Sequence, residues 1–578
     1  MNKAKLGKVA ILLLGMMIFW ISEPLCKVQA DSLKMEYKNP KKAKKGGTLR
    51  VGYINNGAFK GIFSPEIADD GPTLELAQFG MVSLFKIDPN NEFKRGGLAD
   101  ISFDRKNKTA TVKISKRAKW SDGHPVVARD LSFAYEIVAN KAVGSSHYSE
   151  ELENIEGMRE YHNGTADKIS GLEEKDDKTL VIHFKKMKPT MTTTGSGYIL
   201  ESAEPYHYLK NVAMKDLVAS DKLRKKPLFY GPFKIKKLVQ GESIEWVPNT
   251  YYYKKPHVAK IIVETIDNSK AVAAIKAGKF DVMLVQSPQI YNALKKDKDL
   301  VQLGKKTYYY SYMGFRVGKL DKDGNNVMDK HTPSSDRALR QAMAYAMNVE
   351  QVTKKFSSGL SYRANTVVPD VFGKWNAKEV KGYKLDMKKA KKLLDDAGYK
   401  LQKDGYRTKP NGKKLTLTLM ADDSSKSQEE TIKNYIQQWK ELGVHVKLLN
   451  GRFQEFNTMV EKLSSGSTDY DLWFGAWGVT PEPTDIANSY TVTSAYNNGY
   501  FVTKENTELI NSLKSDKAFD EKYRLKQFHK WQVYMDKEAF VVPIAFTHDT
   551  ISVTKHVKNM SLDPNKDNDL WVDVALTK

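Results

Sequence analysis

The sequence predicts an α/β protein built as two or three lobes. Short strand-like segments alternate along the chain with amphipathic helical ones, the order that gives helix-covered sheets. At 578 residues, the chain is also longer than a single hydrophobic core serves. A hydrophobic content of 41%, with nine Trp and 29 Tyr, marks a folded chain rather than a disordered one.

Taken in order, Lys3, Lys5 and Lys8 precede the apolar run VAILLLGMMIFWI (9–21), and Val28, Gln29 and Ala30 offer a small-residue cleavage site before Asp31. This is the plan of a secretory signal peptide over residues 1–30, with an apolar run short for a membrane span. Cys26 is the only cysteine, which excludes a disulfide framework and any Cys-based zinc site. Its place just after the apolar run makes it a candidate for lipidation, although Glu23, Pro24 and Leu25 fit poorly the small-residue box that lipoprotein processing prefers. Cleavage after Ala30 and acylation of Cys26 both stand open.

KNPKKAKKGG (38–47) lacks any apolar period, so residues 31–45 read as a basic tether. TLRVGYI (48–54) alternates as a first strand, and TATVKISK (109–116), TLVIHFKK (179–186), IEWVPN (244–249) and KIIVETI (260–266) follow it. Between them lie the helical patterns ARDLSFAYEIVAN (128–140) and SKAVAAIKAG (269–278), the latter closed by glycine. The later half carries stronger helices: DRALRQAMAYAMN (336–348), then DMKKAKKLLDDAG (386–398) with Asp386 as N-cap and Gly398 as stop, then QEETIKNYIQQWKELG (428–443). VHVKLLN (444–450) follows as a strand. No repeat of solenoid length is present.

A net charge of +23, carried far more by Lys than by Arg, favours diffuse attraction to polyanions over bidentate recognition. Enzyme signatures are absent: no GxxxxGK[ST], no HExxH and no GxSxG. The eleven histidines are scattered without ligand spacing, so no metal site is expected. DKDGNN (321–326) places its glycine fourth rather than sixth and has Thr332 where a calcium loop needs Glu, so it reads as a turn. The tyrosine runs TYYYKKP (250–256) and TYYYSY (307–312) mix aromatic and basic residues as a single-strand nucleic-acid platform would. For an exported chain they read as edge strands, and no nucleic-acid partner is expected.

One stretch stands out. YDLWF runs into GAWGVTPEPTD (475–485), a strand passing into two glycines, a tryptophan and two prolines around one acid. Glycine admits close approach by a ligand backbone, and Trp477 supplies a flat apolar wall. The same pattern also fits an ordinary strand exit.

Several separated motifs resemble one family, the peptide-binding subunits of ABC importers of the family 5 type, above all the oligopeptide-binding proteins of Gram-positive bacteria. KWSDGHPVVARDL (119–131) is similar to the family's WSDGxPxxAxD segment. NIEGMREYHNGTADKISGLEEKDDKTLVIHF (154–184) matches its helix, Gly turn and strand, and YGPFKIKKLVQGESIEWVPNTYYYKKP (230–256) its GPY…GE…N…Y signature. DRALRQAMAYAMN, ANTVVP (364–369) and DMKKAKKLLDDAGY complete the series in order. Each is weak alone; six in order, from about Gly46 to the C-terminus, are specific.

The resemblance implies a two-lobed, periplasmic-binding-protein-like type II fold with an extra subdomain on the first lobe. Residues 46–312 would form lobe 1, with the subdomain at about 86–204. Residues 313–539 would form lobe 2, and 540–578 would return to lobe 1. The chain would cross between lobes near 310–315 and 539–546. The implied function is extracytoplasmic capture of oligopeptides for an ABC permease and ATPase by hinge closure, in a monomer at the cell surface, without cofactor or catalysis. Its basic surface would also favour anionic cell-wall polymers. In such a cleft Trp473, Gly475, Trp477 and Gly478 would line the second lobe, the glycines letting the peptide backbone pair by strand addition. In relatives an aspartate shortly after the tryptophan meets the peptide's α-amino group. Here Thr480 stands three residues on, Glu482 five residues on, and Asp485 beyond it, so Glu482 is the expected clamp. ADDGPT (68–73) matches the first-lobe loop near the peptide's start, which adds Asp70 and Gly71. The same scaffold would serve a binder of nickel, haem or sugar, a pheromone sensor or a wall-bound adhesin.

Overall fold

The computed structural model describes residues 33–55, 58–423, 425–563 and 570–578; the signal-like segment 1–30 and Cys26 lie outside them. Thr48–Ile54 is the centre of the first lobe's sheet. It is flanked in parallel by Lys260–Ile266 on one side and Val282–Leu284 on the other. Ser243–Pro248 and Phe233–Val239 extend the sheet antiparallel beyond Lys260–Ile266. Leu49, Val51 and Tyr53 bury one face of this strand in the first lobe's core, while Ile54 on the other face packs with Ala271 and Ile275 of the helix Asn268–Lys276. Gly52 has to be glycine: a Cβ there would stand 2.8 Å from Met283 Sδ and 3.0 Å from the Phe280 ring.

A four-stranded antiparallel sheet forms the extra subdomain, in the order Ala99–Asp104, Thr109–Ile114, Thr179–His183 and Leu172–Asp176. The helix Ala128–Ala139 packs on it, and the core gathers Trp120, Tyr135, Leu180, Ile182 and Phe184. The second lobe has its own core, including Trp439, Trp473, Phe528 and Trp531. Its parallel strands Thr416–Met420 and His445–Leu448 are enclosed by capped helices. Asp386 caps Met387–Asp396 by accepting from Lys389 N, and Lys426–Leu442 stops at Gly443 with φ 85°.

Two long antiparallel strands, Leu300–Phe315 and Val541–Thr554, run through both lobes and fuse their sheets. Leu303, Ile551 and Val553 belong to the first core, whereas Tyr310 and Phe546 belong to the second. The two cores therefore part between Leu303 and Tyr310 on one strand and between Phe546 and Ile551 on the other. The register between the two strands shifts there, from Lys306 opposite His548 to Tyr310 opposite Phe546, and Thr307 Oγ1 donates to Thr547 O at 3.1 Å.

Three local expectations are corrected. The run 307–312 is not an edge strand: it lies inside the sheet, and Tyr310, Ser311 and Tyr312 are paired on both sides, to Val541–Thr554 and to Leu472–Gly478. Residues 250–256 form turns rather than a strand, because the strand ends at Pro248 and Asn249 takes over, accepting from Tyr251 N at 3.0 Å and donating to Gly231 O at 2.9 Å. The described part of the basic segment 31–45 is docked rather than free. Glu36–Tyr37 pairs with Met560–Ser561, Ala43–Lys44 pairs with Leu576 and Thr577, and the buried Asn39 amide donates to Lys555 O and Val557 O. Backbone pairing holds this segment, which an apolar-period reading does not detect. DKDGNN is a turn, with Asp321 Oδ1 accepting from the backbone N–H groups of Asp323 and Asn325.

Candidate functional site

The strand Leu472–Gly478 begins in the second core and ends at the gap between lobes. Leu472, Trp473 and Phe474 are buried, whereas Ala476 and Gly478 are exposed. One edge pairs along its whole length with Leu300–Phe315. The other pairs with Thr416–Met420 only at Leu472 and Trp473, so from Phe474 onward no strand among the described residues covers it. Gly475 lies opposite Tyr312 and Gly478 opposite Tyr309; added Cβ atoms would approach those rings to 2.9 and 3.0 Å. The glycines thus let the tyrosines lie flat beside the free edge. Trp473 is core, its indole Nε1 donating to Tyr312 OH at 3.3 Å. Trp477 is half-buried and meets Tyr496 edge-on at 5.2 Å. Both tryptophans line a narrow recess with Tyr310, Tyr312 and Tyr496.

Beyond the strand, Val479 N donates to Tyr308 O at 2.8 Å. Pro481 is held from the first lobe, where Asn91 Nδ2 donates to its carbonyl at 3.0 Å. Glu482 is buried and turned inward as the N-cap of the 3-10 helix Pro483–Tyr490, with Oε1 accepting from Thr484 N at 3.0 Å and from its hydroxyl at 2.5 Å. The exposed Thr480 donates to Glu482 O at 3.1 Å and to Asp485 Oδ2 at 3.4 Å. Asp485 has the outlook that the motif spacing assigned to Glu482. It lines a cavity of about 600 Å³ between the extra subdomain and the second lobe. Burial, then the nearby carboxylates of Glu482 and Glu151, push its pKa up to about 7.

Charge in this cavity is divided. Glu150, Glu151, Glu153 and Asp485 face it together with Arg159, Lys185, Lys188 and Lys514. Burial and the neighbouring Lys188 lower the pKa of Lys514. Sequence reasoning missed Glu150, Glu151, Asn91 and Lys514, since nothing distinguishes them from solvated surface residues until the fold brings two distant segments together. Asp70 and Gly71 do not line this cavity. Asp70 caps the helix Gly71–Ala77 through Oδ2, which accepts from Thr73 N at 3.0 Å and Thr73 Oγ1 at 2.7 Å; its Oδ1 is buried with no hydrogen-bond partner among the described residues. Gly71 is exposed, and a Cβ there would meet nothing within 4 Å, so packing does not demand a glycine.

Residues 96–499 match the family described as bacterial extracellular solute-binding proteins, family 5 Middle. The chain belongs to this family. As such a solute-binding protein it is 40% identical over 562 residues to the oligopeptide-binding protein OppA of Lactococcus lactis subsp. lactis, a match covering 95% of this chain and 93% of that one. Lactococcal OppA complexed with an endogenous peptide in the closed conformation is similar at a TM-score of 0.77 and 39% identity, over 92% of this chain and 100% of that chain. NikZ from Campylobacter jejuni in complex with Ni(L-His) shares the fold at a TM-score of 0.64 and 22% identity, over 89% of this chain and 95% of that chain. The two-lobed type II fold is therefore that of the family, whose members are extracellular binding proteins rather than catalysts. Fold alone does not name the solute.

Proposed function

We propose that this solute-binding protein captures oligopeptides outside the cytoplasm and delivers them to an ABC permease and ATPase. The observation that carries the reading is the uncovered backbone edge of 474–478 beside a cavity with both charge signs. An extended peptide can pair with that edge whatever its sequence, while acids and bases in the cavity suit a zwitterion's amine and carboxylate. A cavity of about 600 Å³ falls within the usual range for ligand sites, about 300–1,000 Å³. Full-length similarity to a peptide-bound relative supports the same conclusion.

In this reading Asp485 is the amine clamp, Glu482 shapes its loop, and Trp477 walls a side-chain pocket. Gly475 and Gly478 keep the edge open, with Asp70 and Gly71 touching the ligand from the first lobe as the lobes close. The protein acts as a monomer, cut after Ala30 and held at an anionic wall by its positive charge. Washing intact cells with strong salt, which shortens screening to about 3 Å at 1 M, should then release a protein whose mass begins at Asp31. Native mass spectrometry of that material should show a ladder of mixed peptides. Haem or sugar, or a metal held in the interlobe cavity in place of peptide, would overturn the peptide reading. Salt-resistant protein ending in an acylated Cys26 would overturn only the anchoring.

A further inference from the structure

Histidines scattered in sequence are not all scattered in the fold. His124 and His207, 83 positions apart, stack ring on ring with centroids 4.1 Å apart and planes inclined by 24°. Both point a nitrogen at the same carboxylate oxygen: Asp122 Oδ2 lies 3.1 Å from His124 Nδ1 and 2.8 Å from His207 Nε2. One ligand atom from each of the three residues lies within 4.8 Å of the others. We propose that Asp122, His124 and His207 form a binding site on the first lobe for a borderline divalent transition-metal ion, with Zn²⁺ as the probe.

Distance is the first argument. Two ligands bound at about 2.0–2.1 Å stand roughly 2.8–3.4 Å apart when their bond angle at the metal is between square and tetrahedral. The two nitrogen–oxygen separations here fall in that interval, so an ion could replace the shared protons with little movement. Donor chemistry is the second. Two imidazoles and one carboxylate suit zinc, nickel, cobalt or copper, whereas magnesium and calcium prefer all-oxygen sets.

The third argument is that the site is built rather than fortuitous. The turn bearing Asp122 and His124 is closed by Trp120 N donating to His124 O at 2.8 Å and Gly123 N to Trp120 O at 2.9 Å. The buried Trp120 anchors it, Nε1 donating to Asp130 Oδ2 at 2.8 Å. Asp122 Oδ1 is fixed by His124 N at 3.1 Å, which leaves Oδ2 for the ring nitrogens, as an outer hydrogen bond orients a ligating carboxylate. Asp130 also anchors the segment carrying His207, its Oδ1 accepting from Tyr206 N at 2.9 Å. One buried acid thus sets both halves. The His124 side chain is 60% exposed, so remaining coordination positions are open to water or a further ligand. None of the three residues lines the interlobe cavity.

The test is calorimetric titration of untagged protein with Zn²⁺, repeated on His124→Ala, His207→Ala and the double variant. Saturable binding of one ion per chain is expected, unaffected by excess Mg²⁺ or Ca²⁺. Each single substitution should weaken it at least about tenfold. Metal-free melting curves of the variants, unchanged from wild type, would show that the loss is not unfolding. No saturable binding, displacement by Mg²⁺, or binding that survives in the double variant would overturn the site.

Discussion

In the reading proposed above, Asp485 holds the peptide amine, three residues beyond the Glu482 that motif spacing selects. Counting from Trp477 selects Glu482, but Pro483 follows it at the first helical position, and the residue before such a proline is the N-cap. That signal was legible in PEPTD; the outlook of Asp485 was not, because its neighbour Glu151 comes from a segment 334 positions away. A carboxyl raised from 3.8 to about 7 keeps its proton longer in the folded state than in the unfolded one. Its contribution to stability is thus fully present below about pH 4 and lost as pH rises toward 7. A bound ammonium should reverse the shift. At pH 6, peptide binding should release close to one proton, measurable by calorimetry in buffers of different ionisation enthalpy, and Asp485→Asn should abolish the release. That variant should weaken free-amine peptides about tenfold to a hundredfold, for a charge-assisted hydrogen bond of roughly 1.5–3 kcal/mol, and leave N-acetylated ones unaffected. Glu482→Gln should act on both peptides alike, since it touches the cap. Equal losses in Asp485→Asn would count against the clamp.

Among the elements, helices were the most legible. Asp386 and Gly443 sit at the helix ends that their chemistry marks, because capping is local. The family resemblance placed the lobe crossings at 310–315 and 539–546, but no local pattern marks the strands 300–315 and 541–554 as lobe-spanning, since their pairing partners lie more than two hundred positions apart. The tyrosine run 307–312 looked like an edge for a related reason: Tyr309 is 59% exposed and paired only to Gly478, while the register shift to Val541–Thr554 passes it by. The true edge is short, the far side of 474–478. If peptides add to it as a strand, methylating ligand amide nitrogens in the register that faces the edge should weaken binding about fivefold per lost hydrogen bond, for about 1 kcal/mol each. Methylation in the alternate register should have little effect. A flat response across all positions would mean that side chains, not backbone, hold the ligand.

At the scale of the whole molecule, the two-lobed α/β plan was expected from the family resemblance and is the family's fold. The junction is a pair of strands with a register shift, the sort of short segment that can absorb rotation between rigid bodies. Peptide should therefore lower the radius of gyration in solution scattering and raise stability by roughly 2.7 kcal/mol at a hundredfold excess over the dissociation constant. Unchanged scattering at saturation would sink closure. The order of segments through this junction also bears on biogenesis. The second lobe draws its core from residues 310–546, while the first lobe's sheet needs Val541–Thr554, and its core needs Trp571 and Leu576. During synthesis, the first lobe's sheet thus lacks its closing strand until residues 541–554 have been made. Such a delay should leave that sheet open while the chain lengthens, although the subdomain around Trp120 carries a core of its own.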